Sequence, residues 1–215
     1  NVWFVSRPQM HLVSDGVYVH TLEHNGDYVV TVTTEAKNSE GTLEGVTVRH
    51  TVLSPEGEMV ECSEGSMLTG TFATEEQEFY VRKPKCWDVE KPVLYTLVTE
   101  LRTGDTVVDE MRQTIGFRKL VFTTDRGLFL NDRYRKLQGV CMHHDLGCLG
   151  AAFNKAALRR QFQKLKEMGV NALRTSHNMP AKEFMELADE FGMLIDSEAF
   201  DMWRRSKTQY DYGRF

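Results

Sequence analysis

"GVNALRTSHNMP", residues 169–180, is a glycine and a short apolar run followed by Arg174, His177 and Asn178 within five positions. Gly169 holds the place just past a helix end, where a left-handed backbone is needed. "VNALRTS" predicts a strand, and Pro180 opens a second helix, because its fixed φ suits a first helical turn. Three polar side chains therefore stand at the C-terminal end of a strand. Either they cap the next helix and bind each other, or they face a ligand.

The flanks supply the context. Asn154 caps a predicted helix from Lys155 to Met168, with Leu158, Phe162 and Leu165 on one face. Lys136 to Met142 predicts the strand before it. Downstream, Phe184, Leu187, Ala188 and Phe191 share a helical face, Gly192 ends that helix, and "MLIDSEA" (193–199) predicts a third strand. Strand, helix, strand, helix, strand is the grammar of a parallel α/β arrangement.

Its polar residues fall at three C-terminal strand ends: His143-His144-Asp145, Arg174 through Asn178, and Glu198 through Asp201. In a (β/α)8 barrel that rim builds active sites. An open doubly wound sheet also binds ligands there. No glycine-rich phosphate loop follows any of these strands, which weighs against a nucleotide.

The first half has a different period. "VYVHTLE" (17–23) and "DYVVTVTTE" (27–35) flank Asn25-Gly26, a strong hairpin signal. "VTVRHTVL" (46–53) meets the turn Ser54-Pro55-Glu56-Gly57 and then "EMVEC" (58–62). "EFYVRK" (78–83), "LYTLVTELR" (94–102) and "TVVDEMRQTIGF" (106–117) follow. Seven short strands with almost no helical period predict a β-sandwich. Its histidines and acids read as scattered, solvent-facing residues, and no chemistry is expected there.

A chain of 215 residues, 41% hydrophobic and 27% charged, supports a real core in one or two domains. A net charge of −5 without a basic run argues against nucleic acid. No apolar stretch approaches the roughly 20 residues of a membrane span. Cys62, Cys86, Cys141 and Cys148 form no CxxC pair and read as free thiols in a core. The chain begins Asn1-Val2-Trp3-Phe4, without a leader, and is expected to be a fragment.

Each candidate residue keeps two readings. His143 contacts a substrate or is structural; metal binding by His143, His144 and Asp145 fits no zinc spacing. Arg174 is a rigid fork that holds a catalytic carboxylate, or it forms an internal ion pair. His177 and Asn178 bind hydroxyls or cap the helix at Pro180. Glu198 and Asp201 bind hydroxyls or support other groups, and are not the catalytic pair. Trp203 is a platform for a sugar face or an anchor under a loop.

Several stretches together resemble glycoside hydrolase family 2, which contains β-galactosidases, β-glucuronidases and β-mannosidases. "KPKCWDVEKPVLYTL" (83–97) is similar to a segment late in that family's sandwich domain, and "IGFRKL" (115–120) to its exit. "LNDRYRKLQGVCMHHD" (130–145) resembles the start of the barrel. "GVNALRTSHNMP" resembles the family signature, and "FGMLIDSEAFDMW" (191–203) the third barrel strand. Met179 and Ser197 depart from the usual pattern, as does the pair Cys141-Met142.

The resemblance implies a multidomain fold: an all-β immunoglobulin-like sandwich at 14–118, then the first three βα units of a truncated (β/α)8 TIM barrel at 119–215. Residues 1–13 would be the tail of a preceding jelly-roll domain. It implies that His143 and His177 line the sugar subsite and that Arg174 holds the nucleophile carboxylate. Glu198 would close strand three, with Asp201 and Trp203 in the loop beyond. The acid/base and nucleophile glutamates of such retaining enzymes belong to strands four and seven. A full barrel takes about 250 residues, so both are expected beyond Phe215 and the chain alone is expected to be inactive.

The parent is expected to be a retaining exo-β-glycosidase acting on β-linked saccharides, with "EAFDMW" leaning towards galactosides. No cofactor is certain from the sequence; a divalent or monovalent cation in the parent stays open, as does a homo-oligomer. The bacterial cytoplasm or periplasm is the expected compartment. The alternative is a non-catalytic sandwich module that binds a carbohydrate or protein partner.

Overall fold

The computed structural model describes residues 4–67, 69–199, 205–206 and 208–210. The chain forms two compact units, one from 2–88 and 93–134, the other from 89–92 and 135–215.

The first unit holds a seven-strand sandwich. β1 (Met10–His24), β2 (Asp27–Asn38) and β5 (Phe72–Val81) make one antiparallel sheet. β4 (Met59–Ser66), β3 (Val46–Leu53), β6 (Tyr95–Thr103) and β7 (Thr106–Ile115) make the other, in that order. The Asn25-Gly26 hairpin closes with both residues at positive φ, 55° and 86°, so His24 pairs with Asp27. Alternation then decides what is inside: Tyr28, Val30, Val32, Thr34 and Ala36 of β2 are all buried. Tyr28 and Tyr95 meet the fully buried Phe117 edge-to-face, at 5.2 Å and 4.9 Å between ring centres.

The expectation that the sandwich histidines face solvent fails at His50. Val46, Val48, His50 and Val52 lie on one face of β3, and all are buried. The His50 ring reaches Thr34 Oγ1 at 3.3 Å through Nε2 and Thr99 Oγ1 at 3.1 Å through Nδ1, bridging the two sheets. Both nitrogens find hydroxyl partners, which is how a buried polar ring is tolerated. Burial pushes its pKa down to about 4.

The cysteines correct a second expectation. All four are free, but Cys62, Cys141 and Cys148 are exposed and only Cys86 is half-buried. The hairpin-like passage after residue 118 is a separate antiparallel sheet of β8 (Leu120–Thr123), β9 (Gly127–Leu130) and β10 (Arg133–Tyr134), which belongs with the first unit.

The second unit is the parallel part. β11 (Gly139–Met142), β12 (Ala172–Thr175) and β13 (Leu194–Asp196) form a parallel sheet with β12 central. α1 (Lys155–Glu167) joins the first two strands and α2 (Lys182–Phe191) the last two. Asn154 Oδ1 accepts the Ala157 N–H at 3.0 Å, the expected N-cap. Phe162 is fully buried and packs edge-to-face on Phe184 at 5.2 Å, beside Leu158, Leu173 and Leu187.

α2 begins two residues later than Pro180 predicts. Ala181 takes the N-cap position with no side-chain bond, so Asn178 does not cap this helix. Gly192 closes α2 at φ 66°, and an added Cβ there would lie 2.5 Å from Val89 O. Among the described residues no helix is long and apolar enough to cross a membrane.

Candidate functional site

Parallel pairing fixes the site. Cys141 of β11, Arg174 of β12 and Asp196 of β13 stand side by side in register, and the chain leaves each strand one or two residues later. The side chains just beyond those ends therefore come together, although they are about 30 and 20 residues apart in the chain.

Glu198 is the centre. Its Oε1 accepts from Arg174 Nε and pairs with Arg174 Nη2, and its Oε2 meets His177 Nδ1 at 2.6 Å. Its backbone N–H donates to Thr175 Oγ1 at 2.8 Å, with Thr175 buried. The His177 hydrogen bond, helped by the Arg174 guanidinium, holds the Glu198 carboxyl below its ordinary range, against the opposing effect of burial. It is an ionised acceptor with both oxygens engaged.

Arg174 has two further neighbours. Nη1 reaches Cys141 Sγ at 3.6 Å, and Nη2 lies 3.4 Å from His177 Nδ1. The Ser176 hydroxyl and the Arg174 guanidinium beside Cys141 draw its thiol below the ordinary range. The His143 ring stands edge-to-face against His177, 5.8 Å between centres. The Ser176–His177 peptide bond is cis.

The structure thus brings together His143, Arg174, His177 and Glu198. Asn178 is exposed and lines a small cavity of about 30 Å³ with His143, His144, Leu146, Phe153 and Phe184. Asp201 and Trp203 lie outside the described residues. Asp145 serves its own loop, its Oδ1 accepting from Gly147 N. Among the described residues, no group of three or more His, Cys, Asp or Glu side chains is placed to hold a metal ion.

Two members escaped the sequence reading. Cys141 reads as a core thiol, yet it is in register with Arg174 and on the same side. Thr175 reads as one more strand residue, yet its hydroxyl anchors Glu198. The signal available for both was their position at strand ends flanking Arg174.

Chemically, the cluster offers a fixed guanidinium, an ionised carboxylate and two imidazoles around one half-open rim. That set suits binding of a neutral polyhydroxylated or carboxylate-bearing ligand by directional hydrogen bonds.

Comparison with known proteins agrees with this architecture. Residues 11–118 match the glycosyl hydrolases family 2 model, and residues 121–208 match the family 2 TIM barrel domain model. The chain is 41% identical to the β-galactosidase BoGH2A of Bacteroides ovatus over 218 aligned residues, covering 100% of this chain and 26% of that protein. It is 36% identical to a putative β-glucuronidase of Formosa agariphila, covering 86% of this chain and 17% of that protein. A crystal structure of a family 2 member from Bacteroides cellulosilyticus superposes with a TM-score of 0.89 at 33% identity, over 97% of this chain and 27% of that one. The chain therefore spans about a quarter or less of the length of these relatives, and its sandwich followed by the start of a TIM barrel is the arrangement of their family. This chain belongs to glycosyl hydrolase family 2.

Proposed function

We propose that the whole protein carrying this chain is a retaining exo-β-glycosidase that hydrolyses terminal β-linked sugars, galactosides first. The observation that carries the proposal is the Arg174–Glu198–His177 cluster at the C-terminal ends of neighbouring parallel strands, the rim where barrel enzymes place their chemistry. Membership of the family supports the reaction class.

In this reading His143, His177, Asn178, Asp201 and Trp203 contact the sugar, Arg174 orients the nucleophile carboxylate, and Glu198 holds Arg174 and His177 in place. The acid/base and nucleophile carboxyls, about 5–5.5 Å apart in retaining enzymes, come from strands other than β11, β12 and β13. The isolated chain is then inactive. The parts are a sandwich at 14–118 and the start of the barrel domain at 119–215, after the tail of a preceding domain at 1–13. A bacterial cytoplasmic or periplasmic home and a homo-oligomeric whole protein complete the proposal.

The preference for galactosides rests on the 41% identity to a β-galactosidase over the full chain. A second reading, β-glucuronides, is favoured by the 36% relative and by a Bacteroides uniformis β-glucuronidase 2. That enzyme's structure holds cyclophellitol-6-carboxylate aziridine and matches with a TM-score of 0.84 at 28% identity. A panel of nitrophenyl β-galactoside, β-glucuronide and β-mannoside, given to the whole protein and to the 215-residue chain, tests both readings. The galactoside should turn over fastest with the whole protein, and nothing should turn over with the chain. Turnover by the chain that survives re-purification, or no turnover by the whole protein, would overturn the proposal.

A further inference from the structure

We infer that Glu198, held by Thr175, is a positioning residue that fixes the tautomer of His177, so that the ring turns a bare, proton-accepting Nε2 towards the sugar.

The argument starts from what each atom can do. An ionised carboxylate only accepts hydrogen bonds, and an arginine only donates them. His177 Nδ1 lies 2.6 Å from Glu198 Oε2 and 3.4 Å from Arg174 Nη2. Those neighbours ask opposite things of one nitrogen: the carboxylate needs Nδ1 to carry a proton, the guanidinium needs it bare. The shorter, charge-assisted contact wins. A bare Nδ1 would press its lone pair against a carboxylate oxygen at hydrogen-bond distance, whereas Arg174 loses little because its Nε and Nη2 already serve Glu198 Oε1. Nδ1 therefore carries the proton, and in the neutral ring Nε2 is the acceptor.

Glu198 could not do this from a free loop. It sits two residues past the end of β13, and the Thr175 hydroxyl accepts its backbone N–H at 2.8 Å from the end of β12. The hydroxyl is buried with its residue and ties the loop after one strand to the neighbouring strand. Thr175 thus acts through Glu198, and Glu198 through His177, as the groups behind a metal-ligating or catalytic imidazole fix its orientation elsewhere. Among the described residues nothing partners His177 Nε2, and the side chain is 39% exposed. That the group meeting Nε2 is a sugar hydroxyl donating its proton rests on the glycosidase proposal. The tautomer does not.

The test is the two-bond ¹⁵N–¹H spectrum of the histidine-labelled 215-residue chain in slightly alkaline buffer, with no sugar present. His177→Gln assigns the signal. The expected result is an Nδ1–H ring with Nε2 at the downfield position of a bare nitrogen. Glu198→Gln should shift that signal towards the Nε2–H form usual for free imidazole. Thr175→Val should shift it part of the way, and Thr175→Ser should restore it. Signals of the other six histidines report whether each variant is folded. An Nε2–H ring in the unmodified chain overturns the inference without any variant, and a tautomer unchanged by Glu198→Gln in a folded protein overturns the role of Glu198. Because no sugar is used, failure here and failure of the glycoside panel are told apart.

Discussion

Arg174 and Glu198 lie 24 residues apart and are joined, Nε to Oε1, across the ends of two neighbouring parallel strands. Neither residue could find the other without the β12–β13 pairing. The ion pair is therefore a direct readout of the parallel fold, and its acid dependence follows from its direction. Glu198 has a depressed pKa in the fold, so its favourable interactions are present above the ordinary carboxylate value of 4.5 and vanish as pH falls through the lower folded value. A carboxyl ¹³C titration should place the Glu198 midpoint below those of solvent-facing glutamates. A midpoint at or above 4.5 would contradict the geometry.

His50 predicts a loss in the same direction in the sandwich, but in a higher pH window. Its folded pKa of about 4 lies below the ordinary value of 6.5. The folded state then binds fewer protons between those values, so stability is full above pH 6.5 and falls as pH drops towards 4. The shift corresponds to a loss of roughly 3 kcal/mol across that window. Denaturant unfolding at several pH values should show this slope in the unmodified chain and a flatter one in His50→Leu. Equal slopes would mean that His50 is not the group responsible.

Phe162 anchors the parallel unit, fully buried against Phe184 and Phe191. Phe162→Ala should cost about 3–5 kcal/mol, the usual range for a core phenylalanine. The tryptic stability of residues 135–199 should fall while the sandwich signals stay in place. Unchanged protection of that region would refute the core assignment.

Gly192 should not tolerate a side chain. Its φ of 66° disfavours any L residue, and the new Cβ would meet backbone rather than a yielding side chain. Gly192→Ala is expected to cost at least about 2 kcal/mol, against about 1 kcal/mol for the N-cap change Asn154→Ala. Thermal melts of the two variants should rank in that order.

Much of this architecture is written in local pattern. Period-two alternation gave the seven sandwich strands, and Asn25-Gly26, Gly169 and Gly192 marked a turn and two helix ends through their need for positive φ. His50 was legible too: it shares parity with Val46, Val48 and Val52, and that parity outweighs the general preference of histidine for the surface. The start of α2 was not, because a proline also fits the extended approach to a helix, and Ala181 caps without a side-chain bond. Of the site, the rim was legible because polar residues cluster at three strand ends. The partnership itself was not: the Arg174–Glu198 pair and the Thr175 anchor depend on parallel register and on loop geometry, and neither has a periodic trace. The exposure of Cys141 and Cys148 likewise depends on where loops and sheet faces lie, which composition does not encode.

The most direct test of the account is the effect of Arg174→Ala on the proposed glycosidase activity of the whole protein, with Arg174→Lys alongside. If Arg174 holds the nucleophile carboxylate in the family's barrel, kcat/KM on a nitrophenyl β-galactoside should fall by about 10²-fold or more. Lysine should restore little, because it lacks the planar fork, while the far-UV spectrum and melting stay close to those of the unmodified protein. Activity unchanged in a folded Arg174→Ala protein would contradict the claim that this rim is the sugar site.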